Sequence, residues 1–402
     1  MRRRYHLGLP FWVYCGLTLL VALAAMNRND NLLYWVFGVM ASSLLVSGLV
    51  SGLMMTGLSV RRVSPPHGMV GEALTIRYAV RNRNRLFPVF NIHLEERSVS
   101  DRRGWQQLMS RAAAWVMHIG PREEVHGEAL FWPRRRGEAR FHQLRIWTSF
   151  PFGIIRKSLI LSCEHHTLVY PRLYALRPRV LEAIAPAAAI GAKVSHHAGA
   201  GDDYFGLREF RPGDSMRHIA WKRLANREEL VTIERTRPTP PKMRLVLNLS
   251  SPPATDGEGE ASDTGRQLEE EAISLAASII HAADLTGCEV GLTILGLNRD
   301  PIPVRRSHWH RNRLMAALAE IDLDATRSAE EDRGPADVDR VGLIVVHPDR
   351  VDPTVVTGEA WHFTSRQMHH LVDEPIGWGE APSPEPVGEG ATARAAGEEV
   401  AA

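Results

Sequence analysis

At 402 residues the chain exceeds one compact domain, and two or three are expected. Its 44% hydrophobic content excludes disorder throughout, and three cysteines exclude a disulfide scaffold. The net charge of +2 hides an asymmetry: residues 1–251 hold 36 basic and 18 acidic side chains, residues 252–402 hold 12 and 28.

The first sixty residues carry two uncharged runs, Leu9 to Met26 (18 residues) and Leu32 to Leu58 (27 residues). A hydrocarbon core of about 30 Å takes about 20 apolar residues in a helix, so each run can span. Asn27-Arg28-Asn29-Asp30-Asn31 is long enough only for a tight turn, which makes the pair a hairpin. Arg2, Arg3 and Arg4 precede the first run, and Arg61 and Arg62 follow the second. By the positive-inside rule both ends, and everything beyond residue 60, are expected in the cytoplasm. Ser47, Gly48, Ser51 and Gly52 give the second helix a small-residue face suited to close packing within the hairpin. Cys15, Cys163 and Cys288 lie in apolar contexts without metal-ligand spacing, as expected of free thiols in a reducing compartment.

From residue 63 to 171 the pattern is β. In Glu72 to Arg81, apolar Leu74, Ile76, Tyr78 and Val80 alternate with polar neighbours, and Phe90, Ile92 and Leu94 repeat the period. Further runs at 129–132, 139–146, 158–162 and 167–170, separated by Gly, Pro and charge, predict a β-sandwich-like module. Its basic character, densest at Arg134-Arg135-Arg136, suits an anionic leaflet better than nucleic acid, since no nucleic-acid-binding motif accompanies it.

Residues 199–230 are the most distinctive stretch. Arg211-Pro212-Gly213-Asp214 predicts a turn, with Asp214 capping a short helix through Ser215–Ile219. Arg208, Glu209, Arg217 and Lys222 are placed to form an ion-pair network around Trp221. The alternative use of this stretch is a metal-dependent enzyme centred on Asp202, Asp203, Glu209 and Asp214, four carboxylates within thirteen residues.

Arg208-Glu209-Phe210, Pro212-Gly213-Asp214, Arg217, Ile219-Ala220-Trp221-Lys222, Ala225-Asn226-Arg227 and Glu229-Leu230 resemble the hallmark of the bacterial domain-of-unknown-function 58 family. Pro151-Phe152-Gly153, Val169-Tyr170-Pro171 and the N-terminal hairpin are similar to that family as well. One departure is Ala220, where relatives carry an acid before the tryptophan. The resemblance implies an inner-membrane protein with a von Willebrand factor A-like domain. The implied partners are a MoxR-type AAA ATPase and a transglutaminase-like membrane protein, beside the lipid bilayer that the apolar hairpin itself calls for. It implies no cofactor and no enzymatic activity.

The remainder alternates strand and helix: Met243–Leu249, helix Leu268–Ala283, Val290–Leu295, helix Asn312–Ile321, Val341–Val346. A functional A domain binds a divalent cation through Asp-x-Ser-x-Ser, because Mg²⁺ wants hard oxygens with a carboxylate among them. Here the stretch is Asn248-Leu249-Ser250-Ser251-Pro252, so the metal site is expected to be degenerate. The pairs His165-His166, His196-His197 and His369-His370, and His308-x-His310, lack the partners that would complete a ligand set.

The expected organisation is therefore a transmembrane hairpin over 1–62 (spans about 9–26 and 32–58) and a β-module over 63–171. A linker with the motif block follows over 172–242, then a degenerate A-type α/β domain over 243–377 and a disordered tail over 378–402. The function it predicts is a non-enzymatic membrane adaptor, with the metal enzyme and a nucleic-acid-binding membrane protein as alternatives.

Overall fold

A computed structural model of the chain describes residues 2–63, 65–98, 113–180, 182, 198–221, 230–236, 240–250, 263–327, 341–355 and 360–376. The 378–402 tail, His196-His197 and the 252–262 loop lie outside them. Two compact units divide between Pro171 and Arg172.

The first unit opens with a short strand, β1 (Arg2–His6), followed by helices α1 (Leu9–Arg28) and α2 (Asn31–Met54). Both helices are apolar and long enough to cross a membrane. Asn29 takes a left-handed conformation (φ 52°) and the Asp30 carboxylate accepts the Leu32 N–H, so the polar insert closes the hairpin as a capped turn. The second helix ends four residues before the apolar run does, because Gly57 (φ +85°) turns the chain and Leu58 begins a strand.

Eight strands follow among the described residues: β2 (Leu58–Val63), β3 (His67–Met69), β4 (Leu74–Asn82), β5 (Val89–Ser98), β6 (Ala113–Ile119), β7 (Glu124–Phe131), β8 (Gly137–Thr148) and β9 (Arg156–Tyr170). They form a three-stranded sheet, β2-β4-β7, and a six-stranded sheet, β1-β9-β8-β5-β6 with β3 also paired to β9. Period-two alternation turns Leu74, Ile76, Tyr78 and Val80 inward to meet Ile92 and Leu94 in one core, the packing of a β-sandwich. On β8 the buried positions change parity, from Ala139 and Phe141 to Leu144 and Ile146. A register shift between Phe141 and Gln143 absorbs the extra residue and keeps both pairs on the core side.

The flanking arginines depart from the sequence expectation. Arg2, Arg3 and Arg4 lie in β1, paired with Ile160, Leu159 and Ser158 of β9. Arg62 is not a free charge beside the membrane: it is buried in the sandwich, with Nε and Nη2 2.9 and 2.8 Å from the two Glu96 oxygens and Nη1 donating to the Cys163 carbonyl. Tyr78 donates its hydroxyl to the same carboxylate at 2.9 Å. Burial and the Glu96 charge both push the Tyr78 phenol well above its usual range, so it stays a donor. Gly48 and Gly52 also depart from their expected role within the hairpin, because a Cβ on them would meet Ile155 and Lys157 of the β-module.

The second unit holds β10 (Tyr174–Leu176), β11 (Ala198–Glu209), β12 (Val231–Thr236), β13 (Lys242–Asn248), β14 (Glu289–Leu295), β15 (Ile302–Arg305), β16 (Gly342–His347), β17 (Ala360–Thr364) and β18 (Val372–Pro375). Among the described residues its helices are α3 (Asp263–Leu285), α4 (His308–Ala319) and the single turn α5 (Met368–Leu371). The main sheet runs β15-β14-β13-β16-β17, parallel except for the reversed edge strand β15. Strands β13, β14 and β16 are near-continuous apolar runs because both their faces are covered. Against them α3 buries Ala272, Leu275, Ala276, Ile279 and Ala283 at helical spacing. The chain leaves β13 for β14 on one side and later returns to β16 on the other. The C-terminal ends of β13 and β16 therefore flank a topological switch point, where open α/β sheets present their crevice.

Candidate functional site

Two places in the second unit gather polar side chains: the motif block and the switch point. In the motif block β11 and β12 pair antiparallel, Glu209 opposite Val231, and the chain between them begins with the expected turn. Asp214 N–H returns to the Arg211 carbonyl at 3.0 Å, with Gly213 at φ +110°. Ahead of the turn, Arg208 reaches forward and grips Asp214 with two nitrogens, at 2.8 and 2.7 Å. Its Nε pairs with Glu234 on β12 at 2.7 Å. Asp214 also accepts the Arg211 N–H at 2.9 Å. The Arg208 guanidinium and that N–H hold the Asp214 carboxyl down at about 2, so it is ionised throughout the ordinary pH range.

The network differs from the sequence expectation in its members and its centre. Asp214 does not cap the helical turn Met216–His218, whose N-cap is Ser215, and the partner on β12 is Glu234. Trp221 is not enclosed by the charges but 56% exposed, and Tyr204, Met216 and Leu230 are exposed with it. Glu209, Pro212, Gly213 and Arg217 lie on the exposed surface of the block. Lys222 and Arg227, with Ala225 and Asn226, lie outside the described residues, as do the side chains of Asp202 and Asp203.

At the switch point Asn248 ends β13 and His347 ends β16, both buried. The Asn248 Oδ1 accepts the Ser250 N–H at 3.1 Å and its hydroxyl at 2.5 Å. A backbone N–H can only donate, so the amide orientation is fixed and Nδ2 faces His347 Nδ1 at 3.2 Å. His347 Nδ1 must then be the acceptor, which leaves its proton on Nε2, donated to His362 Nδ1 at 3.0 Å. Burial, reinforced by His362, lowers His347 to about 4. The result is a hydrogen-bonded relay, Ser250 to Asn248 to His347 to His362, crossing three adjacent parallel strands.

This donor set does not suit a hard divalent cation. Asn248 Oδ1 already accepts two hydrogen bonds, both His347 nitrogens face protein partners, and Asn248, Leu249 and Ser250 include no carboxylate. Ser251 and Pro252 lie outside the described residues. His347 and His362 were not among the histidines singled out by sequence pattern. The usable signal was that each sits on an apolar strand of a parallel sheet, where a lone imidazole needs a buried partner. His310, by contrast, is spoken for structurally, its Nε2 bonded to the Val290 carbonyl at 2.8 Å.

Residues 206–365 match the family described as "Protein of unknown function DUF58". Over that segment the chain is similar to the DUF58 family. It opens within β11 and closes just after β17, so the Arg208–Asp214 clamp and the Asn248–His347–His362 relay are both features of the DUF58 segment. A curated relative, "Uncharacterized protein YeaD" of Bacillus subtilis (strain 168), is 26% identical over 217 residues, 52% of this chain and 50% of the relative. The chain thus spans about half the length of the curated relative it matches. Among solved structures, a Pseudomonas fluorescens alkylpurine DNA glycosylase AlkC bound to DNA is 13% identical, with a TM-score of 0.18, over 40% of this chain and 43% of that one. A GH20 exo-β-N-acetylglucosaminidase from Vibrio harveyi is 8% identical, with a TM-score of 0.15, over 60% and 47%. At those scores neither likeness bears on fold or chemistry.

Proposed function

We propose that this chain is a non-enzymatic adaptor of the bacterial inner membrane, anchored by α1 and α2, whose soluble units face the cytoplasm and recruit a protein partner. The observation that carries the reading is the motif block. Beside a clamped turn, Tyr204, Met216, Trp221 and Leu230 are exposed. Exposed aromatic and methionine side chains beside polar groups are the composition of protein-binding hot spots. The α/β sheet, with doubly wound order and a reversed edge strand, supports an A-type domain kept for its surface. Trp12 near the start of α1, and Tyr34 and Trp35 near the start of α2, are exposed at opposite ends of the hairpin, where interfacial aromatic belts lie.

The partner proposed from the family resemblance is a MoxR-type AAA ATPase, with a transglutaminase-like membrane protein as a third member and cell-envelope assembly as the process. Co-purification of the tagged full chain from solubilised membranes, with and without ATP, tests it. Recovery of an ATPase that is lost in a Met216→Ala, Trp221→Ala double variant is the expected result; no ATPase in either nucleotide state overturns it. The metal-enzyme reading is less well supported, because Asp214 already gives both oxygens to Arg208. Titration of the chain with Mg²⁺, Mn²⁺ and Zn²⁺ separates the two readings, since the adaptor has no specific site to saturate. A nucleic-acid-binding membrane protein would instead show steeply salt-dependent DNA affinity.

A further inference from the structure

Both helices of the hairpin leave the β-module from the same end. His6, at the close of β1, is paired with Arg156 at the start of β9, and α1 begins three residues later. At the other foot, the Arg83 N–H bonds the Gly57 carbonyl at 2.9 Å, and Asn84 Nδ2 reaches the Thr56 carbonyl at 2.7 Å. The turn between β8 and β9 climbs beside α2: the Lys157 ammonium donates to the Gly48 carbonyl, and Ile155 would meet a Cβ on Gly48 at 3.8 Å. Gly48 lies six residues, or about 9 Å of helix rise, before the last residue of α2. The turn is thus held alongside the helix, above the level where the helix ends.

The side chains at this end have two characters. Leu86, Phe87 and Phe152 are 80%, 49% and 55% exposed at the tips of the 83–88 and 149–155 turns. Beneath them Phe90 and Phe150 stack at 4.8 Å, which gives the tips a rigid base. Arg83, Arg85 and Arg156 are exposed around them, and residues 82–94 and 139–163 contain no Asp or Glu. In the neighbouring turn Glu123 and Glu124 are both exposed, and the Glu123 carboxylate accepts the Gly120 N–H. Exposed apolar tips inside an arginine collar would be an unfavourable surface in water. Against an anionic leaflet the tips meet acyl chains and the guanidinium groups meet phosphates.

We propose that this end of the β-module is a lipid-binding surface, with the 83–88 and 149–155 turns seated in the headgroup region of an anionic phospholipid leaflet. Leu86, Phe87 and Phe152 point toward the acyl chains, and Arg83, Arg85 and Arg156 hold lipid phosphates. The proposal rests on the reading of α1 and α2 as a membrane anchor and adds that the soluble module is docked rather than tethered loosely.

The test uses the full chain, with Cys15→Ser, Cys163→Ser and Cys288→Ala, reconstituted in phosphatidylcholine vesicles with or without phosphatidylglycerol. A single NBD fluorophore is attached through Leu86→Cys, Phe152→Cys or, as a water-exposed reference between β7 and β8, Arg135→Cys. At 86 and 152 the expected result is a blue-shifted emission, quenching by brominated lipid, and several-fold weaker quenching by iodide than at 135, all strengthened by phosphatidylglycerol. Iodide quenching at 86 and 152 equal to that at 135, in a chain that resists carbonate extraction, overturns the docked module and leaves the anchor standing. Extraction of the chain by carbonate overturns both. Identical lipid quenching with and without phosphatidylglycerol overturns the assignment to anionic headgroups.

Discussion

Arg208 and Asp214 meet as a two-pronged pair, 2.8 and 2.7 Å, across the turn that begins the DUF58 motif block. The geometry depends on the planar guanidinium fork, which a lysine cannot reproduce. Arg208→Lys and Asp214→Asn are therefore expected to loosen the β11–β12 turn while leaving the β13–β17 sheet intact. Hydrogen exchange should show it: protection falls at Arg211 and Asp214 and is unchanged at Leu245 and Val345. The pH dependence has a definite sign. Asp214 is lowered to about 2 in the folded chain, so its contribution is complete above the ordinary aspartate range and is lost as pH falls toward 2. Protection at the turn should accordingly fade on acidification in the parent chain and be far less acid-sensitive in Asp214→Asn.

The His347 relay titrates in a different window. A histidine lowered to about 4 when folded, against an ordinary value near 6.5 when unfolded, favours the folded state most above pH 6.5. That contribution is lost as pH falls from about 6.5 to about 4. A proton NMR titration should find the His347 ring still neutral at pH 5. Asn248→Asp makes the sharper test. A carboxylate has no N–H to offer Nδ1, so His347 gains by taking up a proton there, and its midpoint should rise by at least about one unit. An unchanged midpoint would mean that the amide does not set the tautomer.

What could be read from the chain before its structure follows a physical divide. The sandwich strands at 74–82 and 89–98 and the parallel strands at 242–248, 289–295 and 342–347 were legible because burial imposes a period or an unbroken apolar run on each. Strands β2, β11 and β12 were not, since β2 begins inside what reads as the second span and β11 is rich in Gly and Asp. The Pro-Gly-Asp turn was local and therefore visible; its partner Glu234 is twenty residues downstream and depends on β pairing. Arg62 was read as a topological charge because sequence cannot distinguish an exposed arginine from one satisfied by a carboxylate 34 residues away. His347 and His362 are 15 residues apart in sequence and adjacent only because β16 and β17 are parallel neighbours.

Arg62 and Glu96 supply a stability prediction for the β-module. Their side chains are 1% and 0% exposed, so removing one partner strands the other as an uncompensated buried charge. Glu96→Leu or Arg62→Met alone should each cost about 3–5 kcal/mol, measured by denaturant unfolding of the detergent-solubilised chain. Replacing the cluster together, as Arg62→Met, Glu96→Leu and Tyr78→Phe, should recover most of that loss, because no polar atom of the triad is then left unpaired. Single and triple variants of equal instability would argue that the arginine's other contacts, the Cys163 carbonyl and the face of Phe141, carry the effect instead.

Gly296 connects the fold to the relay. It follows β14 at φ +84°, and a Cβ there would lie 2.4 Å from the Leu249 carbonyl oxygen and 2.5 Å from the Ser250 nitrogen. Both are backbone atoms, so no rotamer change relieves the contact; the segment that orients Asn248 has to move. Gly296→Ala should therefore add the strain of a left-handed alanine, roughly 1–3 kcal/mol, to a displacement of the 248–250 segment. The displacement has its own signature: with Ser250 pulled away, the Asn248 amide loses its fixed orientation and the His347 midpoint rises from about 4 toward the ordinary histidine value. Gly213→Ala is the matched control. Its φ is +110° but nothing lies within 4 Å of the added Cβ, so it carries the dihedral strain without the clash. It should lower stability in the motif block and leave the His347 titration unmoved. If Gly296→Ala also left that titration unmoved, the close approach of the β14 turn would not be what positions the amide.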